Sequence, residues 1–127
     1  MTDHNVTSGK AGIGETRALE GMRVIDAGLL VQGPQAALVL TDLGADVIKV
    51  ELPGFGDHAR WFPISAEDHR APFYEACNRG KRSITIDLRV PEGRDTFLDL
   101  ADTADVVISN FKPGTLDDAT SDRVGLF

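Results

Sequence analysis

Little in this sequence could cross-link the chain or hold a soft metal. Cys77 is the single cysteine in 127 residues, which excludes an internal disulfide framework and any thiolate zinc cluster. No apolar run approaches the ~18–20 residues of a membrane span, so no membrane partner is expected. Basic residues are in deficit: 13 Lys and Arg stand against 20 Asp and Glu, a formal net charge of −7. A nucleic-acid binder normally shows a basic face, so that class is excluded as well. Collagen-like and heptad compositions, internal repeats and low-complexity tracts are absent. No secretory signal opens the chain, so the expected compartment is the cytoplasm.

What remains is the composition of an ordinary globular protein, 42% hydrophobic and 26% charged, of a length suited to one domain or part of one. Residues 1–18 are mostly polar and read as a flexible N-terminal tail. Residues 19–127 then carry four β-type runs rich in β-branched residues: Arg23 to Asp26, Asp46 to Glu51, Ser83 to Leu88 and Asp105 to Ser109. Helical patterns lie between them. Gly33-Pro34 opens the first, with Pro at the first helical position, and Gly44 stops it. Its apolar residues cover most of the circumference, which predicts burial on several sides. A short helix is expected at Pro72 to Cys77. Pro91-Glu92 opens another, with Phe97, Leu98, Ala101 and Ala104 on one face and Asp95, Asp99 and Asp102 on the other. Leu52 to Arg70 reads as a long loop. Strand–helix alternation implies an α/β fold, a Rossmann-like parallel sheet with flanking helices and ligands beyond the C-terminal strand ends. Four strands and an apolar end at Val124, Leu126 and Phe127 suggest the front part of something longer.

Three local patterns could carry chemistry. Gly28 and Gly33 flank the turn from the first strand into a helix. They do not complete a dinucleotide fingerprint, and a plain turn is favoured over an anion site. Asn78 to Ser83 is the one basic cluster, either a phosphate contact or a solvated turn. Asn110-Phe111-Lys112 offers hydrogen bonds, a flat ring and a charge, suited to a nucleotide-like ligand or equally to a Pro-Gly turn. His4, His58 and His69 lack metal spacing and read as solvated. Cys77 reads as a small buried hydrophobe. No catalytic residue and no metal site is assigned.

Taken in order, "DLGADVIKVE", "N-x-x-KRS-I-x-x-DL", "PEGR" and "ADVV-x-x-NF-x-PG", with "GP" before the first helix, resemble the N-terminal region of the class III CoA-transferases. This superfamily includes formyl-CoA transferase, carnitine CoA-transferase and α-methylacyl-CoA racemase. The resemblance covers Leu19 to Asp117 and implies an incomplete N-terminal part of the large domain. It implies an interlocked homodimer and CoA as substrate, with no other cofactor. It also implies CoA transfer from an acyl-CoA donor to a carboxylic acid through a carboxylate nucleophile. CoA contacts implied by the resemblance fall on Val31 and Gln32, on Ile86, Asp87, Leu88 and Arg89, and on Asn110, Phe111 and Lys112. Two cationic contacts of formyl-CoA transferase are replaced, by Leu52 and Asp118, which favours a different member. The family's catalytic Asp corresponds to no position here. The expected product is a CoA-binding fragment; a racemase-type member, a non-catalytic CoA- or partner-binding module and a functionless fragment are the alternatives.

Overall fold

A computed structural model describes residues 16–62, 66–67 and 70–116. Four strands form one all-parallel sheet: β1 (Arg23–Asp26), β2 (Asp46–Glu51), β3 (Arg82–Thr85) and β4 (Val106–Ile108). Their spatial order is β3-β2-β1-β4. The chain therefore builds outward from β1 in one direction and then returns to its other side. That reversal lies between β1 and β4, the place where open α/β sheets put their ligand crevice.

Three α-helices connect the strands: α1 (Gln32–Asp42), α2 (Pro72–Asn78) and α3 (Pro91–Ala101). A 3-10 turn, His58–Trp61, stands in the loop after β2. The two-residue period of the strands sorts the core onto two faces. Ile25, Ala27, Ile48, Val50 and Ile86 pack with Phe97 of α3. Val24, Val47 and Ala45 pack with Ala37 of α1. The same parity sends Asp26, Lys49 and Glu51 to the α1 face, where all three are buried.

Several expectations need adjustment. Helix α1 begins at Gln32, so Pro34 is its third residue; its missing N–H is still one of the helix's unpaired first-turn donors. Burial of α1 is one-sided: Gly33, Pro34, Ala37 and Leu38 are buried, whereas Val39 and Leu43 are about half exposed. Among the described residues, the sheet and α2 pack against it. Strand β3 ends at Thr85, short of Leu88. Ile86 N still donates to Glu51 O, but Asp87 then turns the chain, its Oδ1 accepting from Arg89 N and its carbonyl from Val90 N. His4, His69, Asp118, residues 124–127 and residues 1–15 of the expected tail lie outside the described residues.

Candidate functional site

The C-terminal ends of the strands frame a cavity of about 290 Å³. Its wall is mostly apolar: Ala27 and Leu29 after β1, Val50 and Leu52 from β2, Ile86 and Leu88 after β3, and Phe111 and Leu116 after β4. Phe55 and His58 close one side and Arg89 stands at the margin. Phe55 stacks on Trp61 with ring centres 5.6 Å apart and takes the edge of His58 at 5.0 Å. Of the nine residues implied as CoA contacts, Ile86, Leu88, Arg89 and Phe111 are brought together here.

The others are placed differently. Asp87 holds the Arg89 guanidinium, with Nε and Nη2 each donating at 2.8 Å. Those bonds and Arg89 N hold the Asp87 carboxyl down at about 2. Any anion binding Arg89 must compete with Asp87. Asn110 is engaged with the opposite loop: its Oδ1 accepts from Leu29 N at 2.7 Å and its Nδ2 donates to Leu29 O at 2.8 Å. Lys112 is exposed and lines a separate hollow shared with Phe111. Val31 and Gln32 are exposed at the start of α1 and do not line the cavity; Leu29 takes their place in its wall.

The glycines of the β1–α1 turn serve close packing. A Cβ on Gly28 would lie 2.8 Å from Gly33 Cα, and one on Gly33 would lie 2.9 Å from Gly28 Cα. The strand end and the first helical turn touch backbone to backbone, with no room for a larger residue at either position.

The basic cluster at Asn78 to Ser83 neither meets an open phosphate site nor forms a merely solvated turn. Lys81 is buried, and its Nζ donates to Asp26 Oδ2 at 2.7 Å, Pro34 O at 2.7 Å and Asn78 Oδ1 at 2.8 Å. Arg79 pairs with Asp42 at 2.6 Å and Arg82 Nε donates to Asp46 Oδ1 at 2.8 Å. All three cations clamp this segment onto elements that precede it in sequence. Burial pushes the Lys81 amine down from its usual value, against the opposing pull of Asp26.

A buried polar system that local sequence patterns did not single out reaches the cavity wall at Glu51. Lys49 Nζ lies 2.9 Å from Asp57 Oδ2 and 3.7 Å from Asp26 Oδ2, and donates to Gly28 O at 2.9 Å. Glu51 accepts from Arg60 Nε at 2.7 Å, Arg60 Nη2 at 2.8 Å, Tyr74 Oη at 2.7 Å and Asp57 N at 3.0 Å. Burial alone would raise the Glu51 carboxyl, but these donors overcome it and hold it at about 2. Tyr74 is pushed well above its ordinary value by burial and by its bond to Glu51. The available signal was the charge at alternate positions of two otherwise apolar strands, since strands buried on both faces normally read as unbroken apolar runs.

Cys77 is buried, its Sγ 3.4 Å from Gln35 Oε1. Among the described residues, no group of three His, Cys, Asp or Glu side chains could hold a metal ion, and no helix is long and apolar enough to cross a membrane.

Known proteins share this arrangement. Residues 19–124 match CoA-transferase family III. The chain is 45% identical over 104 residues to succinyl-CoA:mesaconate CoA-transferase of Haloarcula hispanica, an alignment covering 79% of this chain and 26% of that protein. It is 50% identical over 100 residues to succinate–glutarate CoA-transferase of Agrobacterium fabrum, covering 74% and 25%. A crystal structure of a point mutant of Rv3272 from Mycobacterium tuberculosis superposes with a TM-score of 0.75 at 47% identity, over 81% of this chain and 28% of that one. A CAIB/BAIF family protein from Brucella suis gives 0.72 at 47% identity, over 80% and 28%. The chain thus spans about a quarter of the length of the curated relatives it matches. Sequence and backbone agree over most of its own length, and the chain belongs to CoA-transferase family III.

Proposed function

We propose that this chain forms the CoA-recognising edge of a class III CoA-transferase, which moves CoA from an acyl-CoA donor to a carboxylic acid acceptor. The observation that supports this most is convergence. Ile86, Leu88, Arg89 and Phe111 come from two separate strand ends and line one cavity with Leu29. That cavity has the size and apolar character of a small-ligand site. It is large enough for part of a CoA molecule, such as its adenine or the end of its pantetheine arm. Phe111 offers a flat apolar face, and Arg89 supplies the charge for a phosphate.

The chemistry of this class needs a carboxylate that attacks the acyl group and then carries CoA as a thioester. Asp26, Glu51 and Asp57 are unsuited to that task, because each is buried against cations or backbone donors. The role assigned to this chain is therefore binding and orientation, with no catalytic residue among those described. The same reading places it in the cytoplasm, within a homodimer for which exposed Val39, Leu43, Trp61 and Phe62 offer apolar surface.

Calorimetric titration of the chain with CoA tests the reading. Binding is expected in the high-micromolar to millimolar range, about 4–6 kcal/mol, since the net charge of −7 repels a polyanion. Arg89→Ala should weaken it by about 1–2 kcal/mol, moderated by the existing bond to Asp87. No heat at millimolar CoA, or equal affinity in Arg89→Ala and Phe111→Ala, would refute it.

A further inference from the structure

The loop from Ala27 to Val31 carries Leu29 into the cavity wall, and distant side chains hold its backbone almost group by group. Gly28 N donates to Asp26 Oδ1 at 2.9 Å, and Gly28 O accepts from Lys49 Nζ at 2.9 Å. Leu29 N and O are both bonded to Asn110. Leu30 N donates to Asp57 Oδ1 at 3.0 Å. Leu30 has φ +61°, and it is the one non-glycine residue among those described with a positive φ. A branched side chain in the left-handed region is unfavourable, and persists where its surroundings over-determine it.

Asp57 is built to impose that conformation. It is fully buried. Its Oδ1 also accepts from Ala59 N at 2.8 Å, which ties the carboxylate to the 3-10 turn. Its Oδ2 makes no hydrogen bond but faces the Lys49 ammonium at 2.9 Å. Its own N–H donates to Glu51 Oε2. The side chain is thus held from two directions, and its backbone from a third, before it reaches Leu30, while Asp57 itself stays outside the cavity wall.

We propose that Asp57, held by Lys49 and Glu51, is a positioning residue that locks Leu30 in its left-handed turn and so keeps the Leu29 wall of the strand-end cavity in its binding shape. The lock itself needs no ligand; its effect on CoA rests on the functional reading above. A residue that only stabilised the fold would raise the melting temperature without setting the shape of the cavity.

Amide hydrogen exchange and CoA titration of the whole chain separate these roles. In the wild type the Leu30 amide should be strongly protected. Exchange at the rate of an open loop would overturn the lock, whether or not any variant folds. Asp57→Ala should expose the Leu29 and Leu30 amides, leave those of β1 and β2 protected, and lower CoA affinity about tenfold. Asp57→Asn keeps an acceptor oxygen and should preserve Leu30 protection, with affinity within about threefold of wild type. Adding Leu30→Gly to Asp57→Ala should relieve the strain and raise the melting temperature without restoring affinity. Wild-type affinity in that double variant would overturn the positioning role. If the wild type fails to bind CoA while Leu30 protection still depends on Asp57, the lock stands and the CoA reading falls.

Discussion

Replacing Lys81 by Met separates a buried structural cation from a ligand contact. The Met side chain nearly fills the Lys volume, so the change removes charge and hydrogen bonds without opening a large cavity. Three acceptors lose their donor: Asp26 Oδ2, Pro34 O and Asn78 Oδ1. Breaking a buried pair by removing one partner costs about 3–5 kcal/mol. Asp26 keeps Lys49 at 3.7 Å and the Gly28 N–H, and the desolvation of Lys81 itself is relieved, so the lower end applies. A loss of about 3 kcal/mol in urea unfolding is expected. In a chain of this size that lowers the thermal midpoint by roughly 10–15 °C. Lys81 lies on the α1 face of the sheet and does not line the cavity, so CoA affinity measured on the folded variant should change by less than about twofold. A loss below about 1 kcal/mol would show the clamp to be dispensable. A tenfold fall in CoA affinity would instead return Lys81 to the role of a phosphate ligand.

Acid should destabilise the chain through Glu51. Its carboxyl is held at about 2 against an ordinary value of 4.5, so its contribution is complete above pH 4.5 and is lost as pH falls from there toward 2. The loss amounts to about 2–3 kcal/mol, and urea unfolding between pH 6 and pH 2.5 should show it shrinking in Glu51→Gln; an unchanged acid slope in that variant would place the sensitivity elsewhere. Gly93→Ala should destabilise the chain severely, because a Cβ there would sit 1.9 Å from the Asp87 carbonyl oxygen. Backbone must move to admit it, at about 2–3 kcal/mol, and a variant melting within 2 °C of wild type would contradict the packing of α3 on that turn.

The strands β1 and β2 and helix α3 were legible because local pattern and burial coincide. Val24, Ile25, Val47 and Ile48 are β-branched and buried, and Phe97, Leu98 and Ala101 fall on one buried helical face. The parallel sheet followed from their alternation with helices. The fate of the charged residues was not legible. Asp26 meets Lys81 across 55 positions of sequence, and no local pattern encodes a partner so distant. The same limit hid Asp57, whose carboxylate reaches back 27 residues to Leu30. Helix α1 looked buried on several sides because apolar residues cover most of its circumference, yet composition does not specify how many layers cover a helix. At the site, the resemblance named Ile86, Leu88, Arg89 and Phe111 among nine positions, and the fold brings these four to one cavity. The resemblance could not foresee that Asn110 binds the neighbouring loop, because that bond depends on how closely β1 and β4 lie side by side.

CoA recognition at the C-terminal edge of this sheet is the proposal on which the functional reading depends. Amide chemical-shift mapping of the isotope-labelled chain during CoA titration tests it most directly. Saturable shifts are expected at Leu29, Ile86, Leu88, Arg89 and Phe111, with Val39 and Leu43 on the outer side of α1 unmoved. Shifts confined to the outer side of α1 or to the Arg79–Arg82 segment, or no shifts at millimolar CoA, would contradict it.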